Sequence, residues 1–106
     1  MRKLVLPLLL LVSACTTVQV GRDFDLSTFD ANVQRGVTTQ SDVKTWLGAP
    51  VGVGTSVEAS GERFREWNYY FGRVMIPGAR DPMVKLLQIK FDDTGVVRSY
   101  NWSDER

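Results

Sequence analysis

Reactive side chains are scarce in this sequence. It contains one cysteine, Cys15, and no histidine. A chain without histidine lacks the commonest general base and the commonest metal ligand. A single thiol cannot close an intramolecular disulfide. What is left for Cys15 is chemistry as a nucleophile, and its neighbours narrow that chemistry. Ser13 and Ala14 stand before it as small side chains, and the run 4–12 ahead of them is apolar, broken only by Pro7. Glu62 and Glu66 can be imagined as a carboxylate pair for acid–base work. They sit beside Arg63 and Arg65, which is the composition of a solvated charged face. No catalytic residue, no metal-ligand set and no cofactor is expected.

The elements around Cys15 explain its position. Arg2 and Lys3 form a basic start, and the apolar run follows. This is the layout of a secretory signal. The run is far shorter than the ~20 residues a membrane-spanning helix needs. Val12-Ser13-Ala14-Cys15 resembles a lipobox, the motif read by the bacterial lipoprotein pathway. The resemblance implies that residues 1–14 are removed and that the thiol of Cys15 carries diacylglycerol, with a further acyl chain on the new amino terminus. Each buried CH₂ contributes about 0.8 kcal/mol and one acyl chain holds only marginally, so two or three chains make the anchor stable. Thr16 follows the cysteine where an aspartate would signal retention in the inner membrane. The sorting rule therefore points to the outer membrane, with the domain facing the periplasm.

Removing Arg2 and Lys3 from the 13 basic residues leaves 11 against 12 acidic ones, a net charge of −1. The basic residues of the remainder are scattered singly, which gives no electrostatic reason to bind nucleic acid. With 106 residues, 43% of them hydrophobic, the chain has room for one folded domain. Residues 15–23 read as a lipid-anchored tether and 24–106 as the domain.

A short helix is expected at 28–34, capped by Ser27 and stopped by Gly36. A second is expected after Thr39, where Thr39 and Asp42 are spaced for a capping box. Val43, Trp46 and Leu47 make its apolar face, and Gly48 and Pro50 end it. The stretch 51–62 reads as a loop with a possible short strand at 52–57. Period-2 alternation then predicts strands at 64–71, 83–91 and 96–102. Trp67, Tyr69 and Phe71 lie on the buried face of the first, and Phe64, Tyr70 and Trp102 fall on the opposite, open face. Residues 92–95 form the turn of the last hairpin. The expected architecture is α+β: two short helices packed on a three-stranded antiparallel sheet, in the order α-α-β-β-β.

Between positions 33 and 102 the chain resembles the SmpA/OmlA family of small outer-membrane lipoproteins. The residues that carry the resemblance are Val33-x-x-Gly36-x-Thr38-Thr39, Val43-x-x-x-Leu47-Gly48-x-Pro50, Trp67-x-Tyr69-x-Phe71 and Leu87-x-Ile89-x-Phe91-Asp92-x-x-Gly95-x-Val97. The resemblance implies an α-α-β-β-β domain. It also implies a non-catalytic role in the complex that assembles β-barrel outer-membrane proteins, through contacts with that complex's subunits and with anionic phospholipid.

The connection 73–82 is the expected contact segment. Val74, Met75 and Ile76 are three apolar residues in a row, and Arg73 and Arg80 flank them with side chains suited to phosphate. The alternative to an assembly accessory is an envelope binding module of another class, inhibitor-like or sensor-like, with a different periplasmic partner. Either reading requires the anchor. Cys15→Ala is expected to abolish metabolic labelling with acyl chains and to move the protein from the membrane to the soluble fraction, scored by fractionation and immunoblot.

Overall fold

The computed structural model describes residues 16–76, 78 and 80–105. Cys15 and the expected signal segment 1–14 lie outside the described residues. The element order is β1 (Thr16–Gly21), α1 (Leu26–Asn32), α2 (Gln40–Leu47), β2 (Gly52–Val57), β3 (Arg63–Ile76), β4 (Arg80–Phe91) and β5 (Val97–Glu105).

Local chemistry sets both helices. Thr39 caps α2: its hydroxyl accepts from the Asp42 amide at 3.2 Å, and the Asp42 carboxylate accepts from the Thr39 amide at 3.0 Å. This is the expected capping box, and Gly48 ends the helix as expected. α1 begins earlier than expected because Asp25, not Ser27, is its cap. The Asp25 carboxylate accepts from the Thr28 amide, the Thr28 hydroxyl and the Ser27 hydroxyl at 2.7–3.0 Å. A carboxylate takes several donors at once, and Ser27 becomes one of them.

The sheet is antiparallel throughout and has five strands, not the expected three. The path is β1-β3-β4-β5, and β2 also pairs with β3. β3 is 14 residues long, about 48 Å at the usual rise. β4 lies along one edge from Arg65 to Met75. The other edge is shared end to end: β2 covers Arg63–Asn68 and β1 covers Phe71–Ile76. The residues read as a tether are thus largely a strand of the sheet. Thr16, Thr17, Val18 and Val20 favour extended backbone, but every residue of β1 is exposed. Its sequence therefore carries no burial pattern, and backbone pairing to β3 is what orders it.

Both helices pack on one face of the sheet, as expected. Phe29, Val43, Ile89, Phe91 and Val97 are completely buried, with Tyr69, Phe71 and Leu87 nearly so. Phe29 is the hub. Its ring meets Tyr100 edge-on at 5.2 Å and Trp46 at 6.4 Å. Burying such a side chain contributes about 1.5–3 kcal/mol. The α1–α2 connection is stitched to the β4–β5 turn by backbone bonds. The amides of Gly36, Gln40 and Val97 donate to the carbonyls of Val97, Gly95 and Thr38.

One expectation about facing is reversed. Trp102 pairs with Leu87 and so lies on the helix face, not the open face. The register slips by one residue where Phe91 meets Val97 and Lys90 meets Ser99. Arg98 is the extra residue, and a bulge of this kind changes the alternation for everything after it. Phe64 and Tyr70 do lie on the open face, and the Arg98 guanidinium covers the Phe64 ring at 5.7 Å.

The junction of β1 with the rest of the domain depends on Gly21. Its φ is +76°, and a Cβ there would collide with the Tyr70 carbonyl oxygen and approach the Tyr70 ring to 2.8 Å. Gly21→Ala is expected to cost at least the ~1–3 kcal/mol of a strained backbone conformation, read as a lowered urea midpoint, with β1 amides losing protection from hydrogen exchange first.

Candidate interaction surface

The expected contact residues are not a loop. Arg73, Val74, Met75 and Ile76 are the last four residues of β3, and Arg80 opens β4 opposite Met75. Only three residues separate the strands. Pairing with β1 is the physical reason, because it supplies backbone partners to residues 71–76. Strand alternation then divides the cluster: Arg73 and Met75 fall on the helix face, Val74 and Ile76 on the open face.

The open face has two halves of opposite character. Its far half is polar and internally bonded. The Gln88 amide donates to Glu66 at 2.9 Å and to Asn68 at 3.2 Å, and the Asn101 amide donates to Gln88 at 3.2 Å. Lys90 pairs with Glu58 at 2.8 Å. The half next to Thr16 is apolar. Val18 opposes Val74, Val20 opposes Gly72, and Gly72 in turn opposes Val84; Tyr70 opposes Leu86. Val18, Val20, Ile76, Val84 and Leu86 are 42–58% exposed. A shallow cleft of about 320 Å³ lies where the halves meet, lined by Tyr70, Leu86, Gln88 and Asn101 among others. The uncovered face of an antiparallel sheet is normally polar, and a contiguous apolar patch on it marks a contact surface.

Val74 and Ile76 are the two expected contact residues that join this patch. Val18, Val20, Val84 and Leu86 were not expected. Leu86 had a signal in the sequence: Leu86 and Leu87 are adjacent in a strand, so one of them must face outward. Val18 and Val20 had only their alternation with Thr17 and Gln19.

Arg73 serves the opposite side. There the residues that follow β1 are clamped to the core by Lys85. Its ammonium donates to the Phe24 carbonyl at 2.7 Å, contacts Asp23 at 2.5 Å and lies 5.1 Å from the centre of the Phe24 ring. Lys85 is buried, whereas Asp23 is largely exposed. The Lys85 hydrogen bond is the main cause that holds the Asp23 carboxyl below its ordinary value; desolvation opposes it, and the charge of Lys85, the Phe24 amide and the charge of Arg73 add to it in turn. The Arg22 guanidinium donates to the Ala49 carbonyl at 3.0 Å. Beside it the Tyr69 hydroxyl donates to the Gly48 carbonyl at 2.8 Å, and burial pushes that phenol up to about 12. The segment between β1 and α1 is thus fastened to two separate parts of the domain.

Among the described residues no group of three or more His, Cys, Asp or Glu side chains could hold a metal ion, and no described helix is long and apolar enough to cross a membrane. Comparison of the chain with protein-family models, curated proteins and solved structures finds no match.

The Lys85 clamp has a pH signature. A carboxyl whose folded value is depressed adds stability that is complete above its unfolded value, here 3.8, and is lost as pH falls through the lower folded value. Asp23→Asn is expected to lower stability at pH 7 by about 0.5–1 kcal/mol, the worth of an ion pair with one solvent-exposed partner. The difference from the parent protein should shrink as the pH is taken below 3.8, measured by urea unfolding across the pH range.

Proposed function

We propose that this chain is an outer-membrane lipoprotein, held by acylated Cys15 with its domain in the periplasm. It works by binding, without catalysis, as an accessory of the machinery that assembles β-barrel outer-membrane proteins. The observation that carries the anchor is the order of residues at the start of the chain: a basic pair, a short apolar run, then Val12-Ser13-Ala14-Cys15. The SmpA/OmlA resemblance supports the partner class through the residues quoted for it between 33 and 102.

The absence of histidine and the commitment of the lone cysteine to lipid argue for binding over turnover. The five-stranded sheet adds β1 and β2 to the architecture that the resemblance implies. The contact residues expected in a loop at 73–82 stand in β3 and β4 instead. Val74 and Ile76 contribute to the apolar half of the open sheet face, while Arg73 falls on the helix face.

The test is affinity purification from gently solubilised envelopes, using a tag placed after Arg106, with mass spectrometry of the co-purifying proteins. Recovery of barrel-assembly subunits is the expected result. Capture of a soluble periplasmic enzyme in their place would assign the protein to the inhibitor-like class of envelope binding modules.

A further inference from the structure

The anchor has no spacer. Cys15 is bonded directly to Thr16, and Thr16 is already paired with Ile76 in the sheet. Consecutive Cα atoms are ~3.8 Å apart, so an acylated Cys15 sets the Thr16–Ile76 end of the sheet at the membrane surface. A flexible tether would leave the domain free to tumble; a strand that starts at the anchor does not. This inference rests on the lipoprotein reading above.

The position of the apolar patch then fixes how the domain lies. At the usual strand rise, the Val20–Gly72–Val84 row is ~14 Å from Thr16 and the Tyr70–Leu86 row ~20 Å. Interfacial segments bury their apolar face only ~5–10 Å deep. A sheet standing upright would bring Ile76 and Val18 into that zone and leave Val84 and Leu86 in water. The patch runs down one face only, so tipping the sheet onto that face covers all of it.

Charge separates the two faces at the same height. The helix side of this end is densely charged: Asp25, Asp30, Asp104 and Lys85 line a small cleft with Trp102 at its rim, and Arg22 and Asp23 line a neighbouring one. The open side carries Glu105 alone among the described side chains, opposite Val84 at the margin. Covering the first face with lipid would strip water from those charged groups, whereas covering the second gives up little polar surface. We propose that the domain lies on the bilayer through the apolar half of its open sheet face, with the helices turned toward the periplasm.

The experiment uses the full acylated protein reconstituted in phosphatidylethanolamine–phosphatidylglycerol vesicles. With Cys15 occupied by lipid, an introduced cysteine is the single reactive thiol. An environment-sensitive dye is attached to Leu86→Cys, Trp102→Cys or Asp93→Cys. Leu86 and Trp102 are matched, 48% and 45% exposed, in neighbouring rows and on opposite faces. The expected result is blue-shifted emission at position 86, largely quenched by lipids with brominated acyl chains, and aqueous, unquenched emission at 102 and 93. Equal emission at 86 and 102 would overturn the proposal. So would a blue shift at 86 without bromolipid quenching, which means that protein, such as a second copy, covers the face. Mass spectrometry of the same sample reads the anchor separately: absence of the acyl mass on Cys15 removes the lipoprotein reading and this proposal with it, whereas an acylated protein with position 86 in water removes only the proposal.

Discussion

The backbone of β3 is the element on which the structure depends. Fourteen residues of extended chain present amides and carbonyls along both edges, and those groups need partners. One edge is met by β4. The other is too long for β2, which stops opposite Asn68. β1 takes up the remainder from Phe71 onward. Everything distinctive in the fold follows from this division of one edge between two strands. It draws the residues after Cys15 into the sheet, it extends β3 and β4 beyond the helices, and it sends the chain through the tight passage at Gly21.

The helices cover only part of the sheet they pack on. Phe29 and Val43 seal the region around Ile89, Phe91 and Val97. Beyond Phe71 that layer thins, and Phe24 and the aliphatic stem and ammonium of Lys85 take over. A buried ammonium is costly unless its hydrogen bonds are met. Lys85 donates to Asp23 and the Phe24 carbonyl, and the rings of Phe24 and Phe71 lie beside its charge. The clamp and the Arg22 contact with the α2–β2 connection make the anchored end part of the same folded unit as the core. A force or orientation imposed at Thr16 is therefore transmitted to the helices.

The open face shows how one sheet serves two environments. Where it is polar, side-chain amides and carboxylates satisfy one another in a row across β3, β4 and β5. Where it is apolar, it lies next to the residue that carries the proposed lipid. Exposed aliphatic side chains on a small domain favour self-association in water; a face laid against lipid has no such cost. The segregation of the two halves along the strands, rather than a mixture of both, is what a surface with a fixed orientation requires.

Local chemistry made part of this protein legible without any structure. Thr39 and Asp42 determine the start of α2 by bonding to each other's backbone within one turn. Gly95, at φ +84°, allows the 92–95 turn. The alternation of Trp67, Tyr69 and Phe71, and of Leu87, Ile89 and Phe91, identifies the buried face because burial repeats every second residue. The targeting signal proposed for the residues up to Cys15 rests on their order alone. Tertiary structure decided the rest. β1 is exposed along its whole length and exists as a strand only because β3 offers it an edge. Residues 73–76 are strand rather than loop for the same reason. The face of Trp102 was set by the Arg98 bulge, which arises from register against β4 and has no mark in β5 itself. The amphipathic open face, finally, is assembled from β1, β3 and β4, and no single stretch of sequence contains it, because contacts between strands distant in the chain depend on pairing register rather than on the pattern of any one segment.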